Sequence, residues 1–333
     1  MKIKKLSLAA TWFMAAIILA AGIGYGSARA VFAISDGVVS IPDPVLQSAI
    51  RKGLDIPDRD IRASDMARIY KLEIGNNIGA IGEPGSIVTD LTGLEYCTNL
   101  EEININGDIG DLAPLRDLKK LELLIVSGHV QDLTPLAQLT NLKTLVLMHH
   151  DVGDISPLAD LTNLECLMLS LNRIQDVSPL RNLHSLKLLG LDDNRISDIS
   201  VLVDLRNLQQ VSISRNRIND ISSLAHLQQL LFLGACQNQI ENITPLAGLY
   251  RLESISLSEN HIRDISPLAK LYRLRDISLD GNDISDLSPL VENRGFTDMP
   301  LDRSLRLDDN PLNPESIDTC IPELAGSGVK VSY

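Results

Sequence analysis

The chain has 333 residues, of which 44% are hydrophobic, 22% charged and 3% aromatic, and its formal net charge is −13. That acidic balance argues against nucleic acid or an anionic lipid surface as partner, and suits neutral or basic ones. The four cysteines, Cys97, Cys166, Cys236 and Cys320, never fall at metal-ligand spacing.

Lys2, Lys4 and Lys5 precede an apolar run from Leu6 to about Gly26, and Ala28-Arg29-Ala30 then offers a small-x-small cleavage site. Residues 1–30 therefore read as a secretory signal peptide. The alternative is an uncleaved membrane anchor, since about 20 apolar residues just span a bilayer. Cleavage removes four basic residues and no acidic ones, which moves the formal charge from −13 to −17.

Residues 31–88 read as an N-terminal helical cap followed by an irregular first coil. Asp43-Pro44 predicts the start of one helix, with Val45, Ile50 and Leu54 apolar. Ala63-Ser64-Asp65 predicts a second helix, and Lys71–Ile74 a first strand. A glycine-rich insertion occupies 75–85.

From residue 89 to 312 one phrase recurs: Asp or Asn, an aliphatic residue, a small polar residue, usually Pro, then Leu. The copies begin at Asp90, Asp111, Asp132, Asp154, Asp176, Asp198, Asp220, Asn242, Asp264 and Asp286, at steps of 21 and then 22 residues. A fixed period in this range predicts a leucine-rich-repeat solenoid. The expected form is a curved right-handed α/β horseshoe with a parallel sheet on its concave face, short 3₁₀ or helical segments on its convex face, and helical caps at both ends. Leu252, Ile255, Leu257, Ile262, Ile265 and Leu268 should point inward within one coil, with Ser256 outward.

Asn172, Asn194, Asn216, Asn238, Asn260, Asn282 and Asn310 close successive strands and read as a structural ladder, because a buried amide must satisfy both its oxygen and its nitrogen. Ser-Pro and Thr-Pro pairs such as Ser156-Pro157 suggest a capping hydroxyl before a proline at the first helical position. The repeated Asp before them reads as a turn stabiliser.

Between Leu290 and Leu305 the repeat is enlarged, with Phe296, Met299 and Pro300 among the extra residues. Residues 313–333 read as a C-terminal cap. Asn313-Pro314-Glu315 predicts a helix with Ile317, Ile321 and Leu324 as its inner stripe, and Val329 and Val331 a closing strand.

The helical cap, the segment Asp90-Leu91-Thr92-Gly93-Leu94-Glu95-Tyr96-Cys97-Thr98-Asn99-Leu100 and the Asp-Ile-Ser-Pro-Leu repeats resemble the internalin-type bacterial leucine-rich-repeat proteins. The resemblance covers roughly residues 41–312. It implies export and recognition of proteins by the concave face.

On that face the outward positions Leu123, Ile125, Val146, Met148, Cys166, Met168 and Leu188 are neighbours from strand to strand. They predict an apolar patch about 15–20 Å wide from strand spacing, a candidate interaction site. The expected partner-binding residues are Leu123, Ile125, Val146, Met148, Met168 and Leu188, where substitution should cost little stability. The later half is rich in Ser and Asp and reads as solvated.

His129, His149 and His150 should lie near one another at the rim, with no carboxylate or Cys beside them at ligand spacing, so no metal is expected. No catalytic motif or cofactor site is seen. Cys166 and Cys236 are three coils apart, roughly 14 Å at the usual strand spacing and beyond disulfide reach. The sequence thus predicts a non-catalytic, exported protein-binding module, secreted or at the cell surface and monomeric, with an unidentified neutral or basic protein as partner. The membrane enters only through an uncleaved N-terminal segment. The second reading is a cell-wall or carbohydrate binder, with Tyr250 and Tyr272 at equivalent repeat positions as its aromatic support.

Overall fold

The computed structural model describes residues 36–74, 87–297 and 303–333. The expected signal segment at 1–30, the insertion at 75–85, and Met299 and Pro300 lie outside them.

Helix α1 (Pro44–Leu54) begins as a capping carboxylate followed by proline should begin it. Asp43 Oδ1 accepts from the amides of Val45 and Leu46, both at 2.9 Å. Leu46 and Ile50 are buried, and Val45 and Leu54 pack partly covered beside them. Asp43 Oδ2 accepts from the Thr89 amide at 2.8 Å, which joins the cap to the first coil. Burial pushes the Asp43 carboxyl up, but the amides of Leu46, Thr89 and Asp90 outweigh it and hold the group below its ordinary range. In helix α2 (Ala63–Met66), Asp65 takes two guanidinium nitrogens of Arg59 at 2.6 Å each, which lowers its carboxyl to about 2.

Twelve strands pair in chain order as one open parallel sheet among the described residues. They are β1 (Lys71–Ile74), β2 (Glu102–Ile109), β3 (Leu123–Gly128), β4 (Thr144–Val146), β5 (Cys166–Met168), β6 (Leu188–Gly190), β7 (Gln210–Ser212), β8 (Phe232–Gly234), β9 (Ser254–Ser256), β10 (Asp276–Ser278), β11 (Arg303–Arg306) and β12 (Val329–Ser332). Short 3₁₀ segments such as Ser156–Leu158 and Ser266–Leu268 return the chain between them. The fold is the leucine-rich-repeat horseshoe. Leu252, Ile255, Leu257, Ile262, Ile265 and Leu268 are all buried, one coil's share of a core that is continuous through the stack.

The return phrase keeps its Asp as a turn stabiliser but not its hydroxyl as a cap. The Ser or Thr hydroxyl does not cap the short helix. The preceding Asp accepts twice, from the backbone amide and from the hydroxyl two residues on: Asp154 takes the Ser156 amide at 2.8 Å and its Oγ at 2.9 Å. The geometry is an Asx-turn. The hydroxyl is spent on the Asp, so the three-residue helix starts without a side-chain cap.

After β4 to β9 and after β11 the chain turns through a left-handed residue. His149, Leu171, Asp193, Arg215, Gln237, Glu259 and Asp309 all have φ between 54° and 63°. For residues with a Cβ this conformation is unfavourable. The residue that follows, an asparagine after each of them but His149, offsets it. Asn260 donates from Nδ2 to Ala235 O at 3.0 Å and Leu257 O at 2.9 Å, and its Oδ1 accepts from Ile240 N at 3.0 Å. Asn172, Asn194, Asn216, Asn238, Asn282 and Asn310 repeat the pattern coil by coil.

The enlarged connection holds helices α3 (Ser288–Val291) and α4 (Arg294–Thr297). Gly295 lies directly on the coil before it, and a Cβ there would stand 2.1 Å from Tyr272 O. The final helix departs from expectation at one residue. Ile317 is 40% exposed, outside the inner stripe. Residues Ser316–Cys320 wind as a π turn before helix α5 (Ile321–Gly326), and that wider turn brings Ser316 and Cys320 inward instead. The Ser316 hydroxyl accepts from Leu287 N at 3.0 Å and donates to Ser285 O at 2.9 Å, fastening the cap to the last coil.

Candidate functional site

The register brings the outward residues of β3 to β6 side by side. Leu123 stands beside Thr144, then Cys166, then Leu188. Ile125 stands beside Val146, then Met168, then Gly190. Met148 follows β4, where the flanking amides of Leu147 and His149 donate to Met168 O and Ser170 O. All six expected binding residues thus share one face.

Their exposure is uneven. Leu123, Ile125, Met148 and Leu188 are half-buried, whereas Val146 and Met168 are buried at 8% and 3% exposure. Strands about 4.8 Å apart pack outward side chains edge to edge, and the outward residues of the two middle strands, β4 and β5, are the ones covered, between those of β3 and β6. The expectation that Met168 can be changed at little cost to stability is therefore revised. It forms part of the floor of the patch, and the four half-buried residues form its accessible part.

From β7 onwards the outward residues, Phe232 apart, are small or polar, and many bond to one another. Asp192 Oδ1 accepts from Ser212 Oγ at 2.6 Å and from the Ser214 amide at 2.8 Å. Ser258 donates to Asp280 at 2.9 Å, Ser304 to Asp276 at 2.7 Å, and Arg306 Nε to Ser278 Oγ at 2.9 Å. Burial pushes the Asp192 carboxyl above its ordinary range despite the two donors. This half of the face is a lattice of cross-strand bonds rather than a set of separate solvated groups.

At the rim beside the apolar half lies a cleft of about 710 Å³, lined by His129, His149, His150 and, among others, Asp108, Asp151 and Arg173. The sequence reading placed no carboxylate beside these histidines. The structure corrects this, since His129 Nδ1 lies 2.8 Å from Asp108 Oδ1. The two are 21 residues apart, one coil, and stacking makes them neighbours. Among the described residues no three His, Cys, Asp or Glu are placed to hold a metal.

His150 is not a rim residue of the same kind. It is 4% exposed and occupies the ladder position one coil before Asn172. Its Nδ1 accepts from Val130 N at 2.9 Å and its Nε2 donates to Val126 O at 3.0 Å, as an asparagine's oxygen and nitrogen do in later coils. Counting 22 residues back from Asn172 would have found it.

All four cysteines are free. Burial pushes the Cys97 and Cys166 thiols up to about 12 and raises those of Cys236 and Cys320. Such thiols are poor nucleophiles.

The family model described as Leucine Rich repeats (2 copies) matches residues 162–204, 184–226 and 250–292. No curated protein matches the chain by sequence. Among solved structures, an internalin (inlF) of Listeria monocytogenes is 30% identical with a TM-score of 0.75, covering 88% of this chain and 91% of its own. Internalin C2 (inlC2) of the same species is 28% identical with a TM-score of 0.54, covering 75% of this chain and 100% of its own. A plant peptide hormone receptor solved in complex with RGF2 is 19% identical with a TM-score of 0.55, covering 66% of this chain and 41% of its own, a likeness of fold alone.

Proposed function

The chain belongs to the internalin family of leucine-rich-repeat proteins, and from that membership we propose that it is an exported module that takes a protein partner on the apolar half of its concave sheet. Leucine-rich-repeat folds serve in general as protein-interaction modules, and this family in general binds without catalysing. The observation that carries the reading is the cluster of apolar outward positions from β3 to β6, interrupted only by Thr144 and Gly190 within the strands. Leu123, Ile125, Met148 and Leu188 supply the accessible contacts, over a floor of Val146 and Met168. Apolar side chains held on rigid strands gain from desolvation and lose little entropy when a partner covers them.

Export rests on residues 1–30, with cleavage after Ala30. Among the described residues no helix is long and apolar enough to cross a membrane. The formal charge of −17 after cleavage favours neutral or basic partners. Carbohydrate or cell-wall binding is the second reading. Its support is the pair Tyr250 and Tyr272, 58% and 53% exposed on consecutive coils.

The test immobilises three forms: the native protein, Met148→Asp with Leu188→Asp, and Ser254→Asp with Ser256→Asp. Each is offered extracellular proteins and, separately, purified wall glycans. The expected result is a protein retained by the native and serine-altered forms and lost from the Met148/Leu188 form. Retention by all three forms contradicts the site. Retention of glycan alone contradicts the partner class.

A further inference from the structure

We propose that His150 makes its rung of the asparagine ladder acid-labile, so that mild acid loosens the turn at 126–130 and with it the rim of the apolar face. The seven asparagines of the ladder cannot titrate in this range, and a histidine can. Only the neutral ring with its proton on Nε2 makes both bonds of His150, the one accepted from Val130 N and the one donated to Val126 O. A second proton must go on Nδ1. There it meets the Val130 N–H, a donor facing a donor, and the bond is lost. At 4% exposure, water does not take its place.

The surroundings oppose a second proton from several sides. From the preceding coils come His129, whose charge acts on the ring, and Asp108, 2.8 Å from His129. On the same segment stand His149 and Asp151, and from the next coil Arg173 pairs with Asp151 at 2.7 Å. Arg195 lines the same cleft. Burial is the largest cause holding the imidazole below its ordinary range, and His149 and His129 add to it. The Val126 carbonyl and Asp151 work the other way without reversing it.

The direction of the effect follows. The unfolded or locally opened chain takes up a proton at His150 near the ordinary value of about 6.5, and the closed structure only at lower pH. Closure is therefore fully favoured above about 6.5, and stability is lost as pH falls from there towards the lowered native value. The loosened segment runs beside Met148 and the rim cleft. Nothing in this mechanism depends on which partner binds.

The experiment is amide hydrogen exchange on the intact protein between pH 8 and pH 5, read as protection relative to the unstructured rate. Protection at the Val130 amide should be flat above about 6.5 and fall up to about tenfold per pH unit below it. The Ile174 amide, bonded to Asn194, should show no such slope. His150→Asn restores a ladder residue and should flatten the Val130 profile. A pH-independent Val130, or a slope that survives His150→Asn, overturns the proposal. Should that variant fail to fold, the native imidazole answers by NMR. A neutral Nε2–H ring persisting below pH 6.5 supports the proposal, and titration at or above that value overturns it.

Discussion

The two halves of the concave sheet share one backbone and part only in what points outward. Beneath β4 and beneath β9 the core residues Leu145 and Ile255 are equally buried, and the same ladder runs under both. From β7 to β10 the outward serines and aspartates satisfy one another across the strands. From β3 to β6 most outward residues are apolar, and those gain only by losing water. The solenoid requires neither pattern. An apolar run that the fold does not need is the stronger sign of an external contact, whereas a polar run whose members bond to one another offers a partner fewer unmet groups.

The comparison breaks first on charge. Met168 and Ser278 lie in the same outward column, and both are buried. Met168→Asp places a carboxylate among apolar neighbours and should cost about 3 kcal/mol or more. Ser278→Asp finds the Arg306 guanidinium already pointing at it and should cost well under half as much. Urea midpoints of the two variants decide this, and equal losses would mean that the halves do not differ as environments.

The ladder should be indifferent to the halves. Asn172→Ala and Asn260→Ala each strip several bonds from buried backbone groups and should each cost about 1–3 kcal/mol. An unchanged midpoint for either removes the structural reading of the asparagines. A smaller contrast lies in the thiols. Cys166 is 2% exposed in the apolar half, and Cys236 is half-buried in the polar half beside the Ser256 hydroxyl. Under native conditions at pH 8 a maleimide should modify Cys236 slowly and Cys166 only after unfolding. Faster labelling at Cys166 would show that the apolar floor opens.

Much of the architecture was legible because a period repeats its own information. Strand, turn and core positions read from one coil apply to the next, which is why Leu252 to Leu268 could stand for the whole stack. What the period did not carry was lost. Ile317 was placed inward on an α-helical count, and a π turn moved it out. The Ser156 hydroxyl was given to the helix, while the stronger acceptor Asp154 held it. At the site the column assignment is set by alternation, but burial within a column is not. Met168 is covered because it stands on an inner strand of the patch, between β4 and β6, a property of three coils together. Asp108 escaped notice beside His129 for the same reason, since the two meet only when the coils stack. His150 differs, because its place in the ladder was countable and its residue type alone hid it.

The most direct test of the partner site is photocrosslinking from single positions. A photoreactive side chain at position 148 in the apolar half, or at position 258 in the polar half, is activated in the presence of extracellular proteins. The account predicts a discrete protein adduct from position 148 and none from position 258. Adducts from 258 alone, or equal adducts from both, would contradict it.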